Sequence, residues 1–198
     1  MRKVLEFGGY AAAVILVVFG VVALVLGFVG RNEVRDNLAR EKIVGTPDMT
    51  PEGIKEGAQA AGVPASDVPD CSVAGELVDT GSEAKCFGDY MRIHALEATG
   101  GKVYAEMGRY LTADGKETND PAQAATNKDG TPVTNQARDI WVTETSLSTA
   151  LYMGFFAETV SLFSIVVAIA LIIAGIGFGV LDFAALRWLP SRREGAGS

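Results

Sequence analysis

Residues 7–30 and 159–181 run for 24 and 23 positions without one charged side chain. At about 1.5 Å of rise per helical residue, each run makes a rod of roughly 35 Å, enough to cross a hydrocarbon layer of about 30 Å. A chain built this way is neither collagen-like nor disordered throughout, and it does not read as a soluble enzyme. A net charge of −7 argues against nucleic-acid binding, which needs a basic face. The implied environment is a lipid bilayer, and the fold class is mainly α. The expected organisation is a two-pass transmembrane helical hairpin, with tails at residues 1–6 and 182–198 and an insert at 31–158.

Arg2 and Lys3 ahead of the first run would suit a secretory signal. The run is longer than a signal core, however, and it enters Arg31 without an Ala-x-Ala site, so an uncleaved anchor is the better reading. The tails carry five basic and three acidic residues, while the insert carries 12 basic and 21 acidic. That asymmetry favours both tails in the cytoplasm. Cys71 and Cys86, both in the insert, are the chain's two cysteines. A bridge between them would close a loop worth about 3 kcal/mol and would persist in an oxidising compartment. With His94 as the lone histidine they fall short of the four ligands of a structural zinc site. The insert is therefore assigned to the outside of the plasma membrane.

Apolar helices in lipid associate where small residues let backbones approach. Gly20, Ala23, Gly27 and Gly30 form one such stripe in the first span. Ser161, Ser164, Ala168, Gly175 and Gly179 form another in the second, the last two as G-x-x-x-G. The stripes fit an antiparallel hairpin; a sharper alternative gives one of them to a partner. Tyr10 and Trp188 would anchor the cytoplasmic ends, with Tyr152, Phe155 and Phe156 at the outer approach. Glu158 is a candidate intramembrane polar group, though sliding the helix leaves it solvated at the interface.

Within the insert, both spanning helices are expected to continue outward as a stalk, the first until Gly45-Thr46-Pro47 and the second from a cap at Asn135. Ile140, Trp141, Leu147, Leu151 and Phe155 trace an apolar side on the second. Thr50-Pro51 starts a helix that ends at Gly62. Val73, Leu77 and Val78 suggest a short β-hairpin. Thr80 and Glu83 form a capping box ahead of a face bearing Phe87, Tyr90, Met91, His94 and Ala98. Beyond Gly100-Gly101, helical spacing resumes through Val103, Tyr104, Met107, Tyr110 and Leu111, and residues 113–134 read as an exposed loop. Together these elements make a small extracytoplasmic helical bundle.

Catalytic motifs are sparse. Asp79-Thr80-Gly81 matches the aspartic-protease tripeptide, but that chemistry needs two carboxylates, and capping explains the same residues. Asn127-Lys128-Asp129-Gly130 follows the middle of an EF-hand loop, yet Ala125 and Gln136 stand where acidic ligands belong, leaving a tight turn. His94 lies on an apolar helix face, as a hydrogen-bonded core histidine would. No phosphate loop or dinucleotide fingerprint is present.

Three segments carry a resemblance: residues 44–51, VGTPDMTP; residues 90–101, YMRIHALEATGG; and residues 140–145, IWVTET. They resemble an actinobacterial family of small two-pass membrane proteins, over most of the chain from Met1 to Leu181. Its members are often labelled aromatic ring-opening dioxygenase subunits. Extradiol ring opening uses iron held by two histidines and a carboxylate, which one histidine cannot supply within a chain. The resemblance thus implies the topology and an actinobacterial envelope setting. The function expected is a non-catalytic membrane scaffold or accessory subunit of a respiratory or envelope complex, with membrane-protein partner subunits and no cofactor. Alternatives are an extracytoplasmic ligand-binding or sensing module and, less favoured, an enzyme.

Overall fold

The computed structural model describes residues 2–188, with side chains for residues 7–184. The protein is mainly helical. Among the described residues, four α-helices, α1 (Arg2–Arg40), α2 (Lys55–Ala60), α3 (Gly81–Ala98) and α4 (Gln136–Trp188), are joined by loops carrying one two-stranded sheet, β1 (Tyr110–Leu111) with β2 (Glu117–Thr118). Two compact units emerge: residues 2–33 with 159–188, and Val34–Glu158. The anchor assigned to Trp188 and the tail from residue 189 lie outside the described side chains and residues.

The first unit is an antiparallel pair formed by stretches of α1 and α4. Its outward positions, among them Val18, Phe19, Leu26, Phe163, Val166 and Ile173, are large, apolar and at least half exposed. The positions turned toward the partner helix are small: Ala13, Gly20 and Gly27 on α1, Ala168 and Gly175 on α4. They recur every seventh residue, the period that keeps two helices in contact along a left-handed crossing.

The second unit has an ordinary buried core. Ile54, Val73, Val78 and Tyr90 are its largest fully buried side chains, with Leu38 from α1 and Leu151 from α4 packed into the same cluster. α3 starts at the Thr80–Glu83 capping box and ends ahead of Gly100 and Gly101, both left-handed. Asn135 opens α4, its side-chain oxygen accepting from the Ala137 amide at 3.1 Å. Thr50 Oγ1 accepts from the Gly53 amide at 2.9 Å, but the first turn stays irregular and α2 begins only at Lys55.

Three local expectations change. The residues around Val73–Val78 form a turn, with the Glu76 amide donating to the Val73 carbonyl, but its arms do not pair with each other. They dock on the segment leaving α1: Val78 donates to the Ile43 carbonyl at 2.9 Å and Gly45 to the Glu76 carbonyl at 3.1 Å. That pairing satisfies both backbones while burying Val73 and Val78. Next, the helical spacing from Val103 to Leu111 yields only a 3₁₀ turn, Tyr104–Glu106, and then β1. Two left-handed glycines break the helix, and Gly108 passes so close to Thr118 that a Cβ there would lie 2.7 Å from its amide nitrogen. The sheet therefore falls inside the region expected to be a helix followed by an exposed loop. Finally, the buried side of α4 carries Trp141, Glu144, Ser148 and Leu151, whereas Ile140 and Leu147 are exposed at 44 % and 36 %.

Candidate functional site

Glu158 is buried in the second unit, 5 % exposed, rather than solvated at an interface. Its Oε1 accepts from Arg35 Nε on α1 at 2.8 Å, and its Oε2 accepts from the Gly81 amide, the first of α3, at 2.6 Å. Glycine is needed at 81, because a Cβ would sit 2.9 Å from both Glu158 Oε2 and the Phe155 Cα. The carboxylate thus meets a guanidinium and a positive helix end, the two groups that best offset a buried negative charge. Just upstream, Thr80 Oγ1 accepts from the Glu83 amide at 3.3 Å, and Glu83 Oε2 accepts from the amides of Asp79 and Thr80 at 3.0 and 2.9 Å. The protease-like tripeptide is therefore the entry to α3. One carboxylate from α4 ties together α1, α3 and α4.

A second tie crosses the same helix. Cys71 and Cys86 are bonded, joining the loop before α3 to its second turn. One turn on, Tyr90 is fully buried and its hydroxyl donates to the Cys71 carbonyl at 2.6 Å. Burial raises the Tyr90 hydroxyl above its usual pKa, helped by the negative charges of Glu52 and Asp70. The sequence marks Tyr90 as apolar core; that its polar end seals the disulfide loop comes only from the fold.

His94 is not a core residue. Tyr90 and Ile93 take the buried face of α3, Ala98 is exposed, and the His94 side chain keeps 34 % of its exposure. Its Nε2 lies 3.3 Å from Asp48 Oδ2. The Asp48 carboxyl is held below its usual range, first by the Thr46 hydroxyl and, less strongly, by His94. Beside His94, α3 and the start of α4 enclose an open cleft of about 640 Å³, lined by Met91, His94, Ala95, Ala98, Gln136, Asp139, Ile140, Thr143 and Glu144. Glu144 is 4 % exposed. The sequence singles out the segments 90–101 and 140–145 on either side of this cleft but does not join them, because α3 ends at Ala98 and α4 begins only at Gln136. Among the described residues, no group of three or more His, Cys, Asp or Glu side chains is arranged to hold a metal ion.

The small-residue stripes lie at the helix contact of the first unit. A Cβ on Gly20 would meet Ile172 Cγ1 at 2.6 Å and the Ala168 carbonyl oxygen at 2.9 Å. On Gly27 it would meet Ile165 Cγ1 at 2.7 Å and the Ser161 carbonyl at 3.0 Å. On Gly175 it would meet Val17 Cγ2 at 2.8 Å and the Ala13 carbonyl at 2.9 Å. Gly30 faces Ser161 Oγ, Gly179 touches Ala13, Ala168 is fully buried, and Ala23 and Ser164 are half-buried at the margin. Ala13 belongs to the same contact, and the sequence does not mark it, since alanine recurs there as part of a Tyr-Ala-Ala-Ala run without distinction.

No known protein family, no characterised protein and no solved structure matches the chain.

Proposed function

We propose that this protein is a membrane-anchored, non-catalytic accessory subunit: residues 7–30 and 159–181 cross the plasma membrane, both termini face the cytoplasm, and residues 31–158 form an extracytoplasmic head that engages a larger respiratory or envelope complex. The observation that carries this reading is the use made of the head's reactive side chains. Glu158 joins three helices, Cys71 and Cys86 are bonded to each other, and Thr80 and Glu83 cap α3. These groups brace the head internally, and a pre-organised surface lowers the cost of docking.

Membrane insertion draws support from exposure. In the most apolar windows of the two long helices, only 17 % and 11 % of residues are buried, unlike helices at the centre of a water-soluble core. The disulfide supports an oxidising location for the head. Because the small-residue stripes are occupied by the α1–α4 contact, partner contacts fall to the head and to the outward faces of the spans.

Purification of the full chain in mild detergent tests the proposal. Stoichiometric co-purifying membrane subunits are expected; a homogeneous species without partners overturns it. Maleimide labelling of intact cells tests the orientation. Cys71 and Cys86 should react only after reduction, and labelling that needs membrane permeabilisation instead would place the head in the cytoplasm.

A further inference from the structure

Glu144 and Glu158 are nearly equally buried acids on one helix, and their surroundings differ sharply. Glu158 has its guanidinium and its helix end. The Glu144 carboxylate accepts only a 3.4 Å bond from the hydroxyl of Thr145, its neighbour on the same helix, and among the described residues no ion pair reaches it. The Arg92 guanidinium is placed over the Trp141 ring instead, 5.3 Å from its centroid. The side chain is nearly buried, but its second oxygen is not a buried unpartnered atom, so it is open to the cleft and free to accept a donor there. This one lines an open cleft of about 640 Å³, a size common for small-molecule sites. Met91, Ala95, Ala98 and Ile140 make the walls apolar, and Asp139 adds a second negative charge.

We propose that this cleft binds a small amphiphilic organic cation, an alkyl- or arylamine, with its ammonium on Glu144 and its apolar body along Met91 and Ile140. An ammonium would supply Glu144 with the partner that Arg35 supplies to Glu158. A bare metal ion would leave the apolar walls unused, and an anion would be repelled by both acids. The inference is independent of the accessory-subunit reading. The same ammonium chemistry is offered by a free amine and by an aminophospholipid headgroup, and the test separates the two.

The experiment is calorimetric titration of the full chain in phosphatidylglycerol nanodiscs with hexylamine, using hexanol and hexanoate as uncharged and anionic controls. Hexylamine should saturate one site and bind about tenfold or more tightly than hexanol, the ratio expected for a hydrogen-bonded charge pair. Glu144→Gln should bring hexylamine down to the level of hexanol. Ala98→Phe, which fills the cleft from an exposed wall position and leaves Glu144 in place, should abolish binding while the melting temperature is retained. Should Glu144→Gln fail to fold, the Ala98→Phe and hexanol arms carry the test. Absence of saturable hexylamine binding, equal binding of hexanol, or an unchanged affinity in folded Glu144→Gln or Ala98→Phe would overturn the proposal. In phosphatidylethanolamine nanodiscs, undiminished hexylamine binding supports a free amine as the occupant, and competition by the lipid supports the headgroup.

Discussion

The pair of long helices in residues 2–33 and 159–188 and the head at Val34–Glu158 are held together by opposite means. In the pair, contact is made where side chains are missing: Gly20, Gly27 and Gly175 let one helix rest on the other's backbone. In the head, contact is made by groups that reach: Arg35 and the Gly81 amide to Glu158, Cys71 to Cys86, Tyr90 to the Cys71 carbonyl. The proposed membrane setting accounts for the difference. Apolar surfaces in lipid would gain little by meeting, so close van der Waals packing would have to supply the attraction. A head in water would use hydrophobic burial, and its buried polar groups would then have to be satisfied one by one.

The largest effect expected from this contrast is on the Glu158 tie. Glu158→Ala should strand the Gly81 amide and release Arg35, costing about 2–3 kcal/mol; the usual loss for a broken buried pair is somewhat larger, but Arg35 is itself 38 % exposed. Denaturant unfolding of the head, followed by Trp141 fluorescence, checks it. An unchanged midpoint would mean that the head does not depend on this carboxylate.

A smaller effect belongs to the helix pair. Gly27→Val should drive a side chain into Ile165 and the Ser161 carbonyl, at about 1–3 kcal/mol for forced overpacking. Gly177 has nothing within 4 Å of an added Cβ, so Gly177→Val serves as the control and should be close to neutral. Unfolding in mixed micelles with rising SDS reads both. Equal sensitivity at the two positions would break the distinction between packed and outward glycines.

The smallest effect is local and depends on pH. The Glu117 carboxyl is held below its usual range, first by the Gly108 amide donating at 3.1 Å and then by the Lys102 ammonium, also at 3.1 Å. With the folded pKa below the unfolded one, this contribution is complete above the unfolded value near 4.3 and is lost as pH falls through the folded value. Protection of the Gly108 amide against hydrogen exchange, measured relative to its intrinsic rate, should therefore fall as acid protonates Glu117, and Glu117→Gln should flatten that dependence. Tyr90 has the opposite sign. Its raised hydroxyl favours folding below about pH 10, and that contribution fades as alkali approaches the folded pKa.

Wherever the signal lay in neighbouring residues, the sequence was enough. Uncharged length defined the two long helices, the Thr80–Glu83 spacing defined the start of α3 and Asn135 the start of α4, whereas two cysteines in one insert only suggested the bridge that the structure contains. All of these depend on helical period, capping geometry or composition, which act within a few residues of the chain. The interactions that failed to show were those between distant segments. Val73–Val78 has hairpin character, but it pairs with residues 43–49, because those backbones arrive unpaired from the end of α1. His94 has core spacing, yet the rotation of α3 that buries Tyr90 and Ile93 turns it to the flank beside Asp48. Glu158 reads as an interfacial acid until Arg35, 123 positions away, is brought against it. Residue pattern decides which elements form and where they begin; the depth, rotation and electrostatic partner of each side chain are decided by packing, because a charge becomes costly or useful only once its surroundings exclude water.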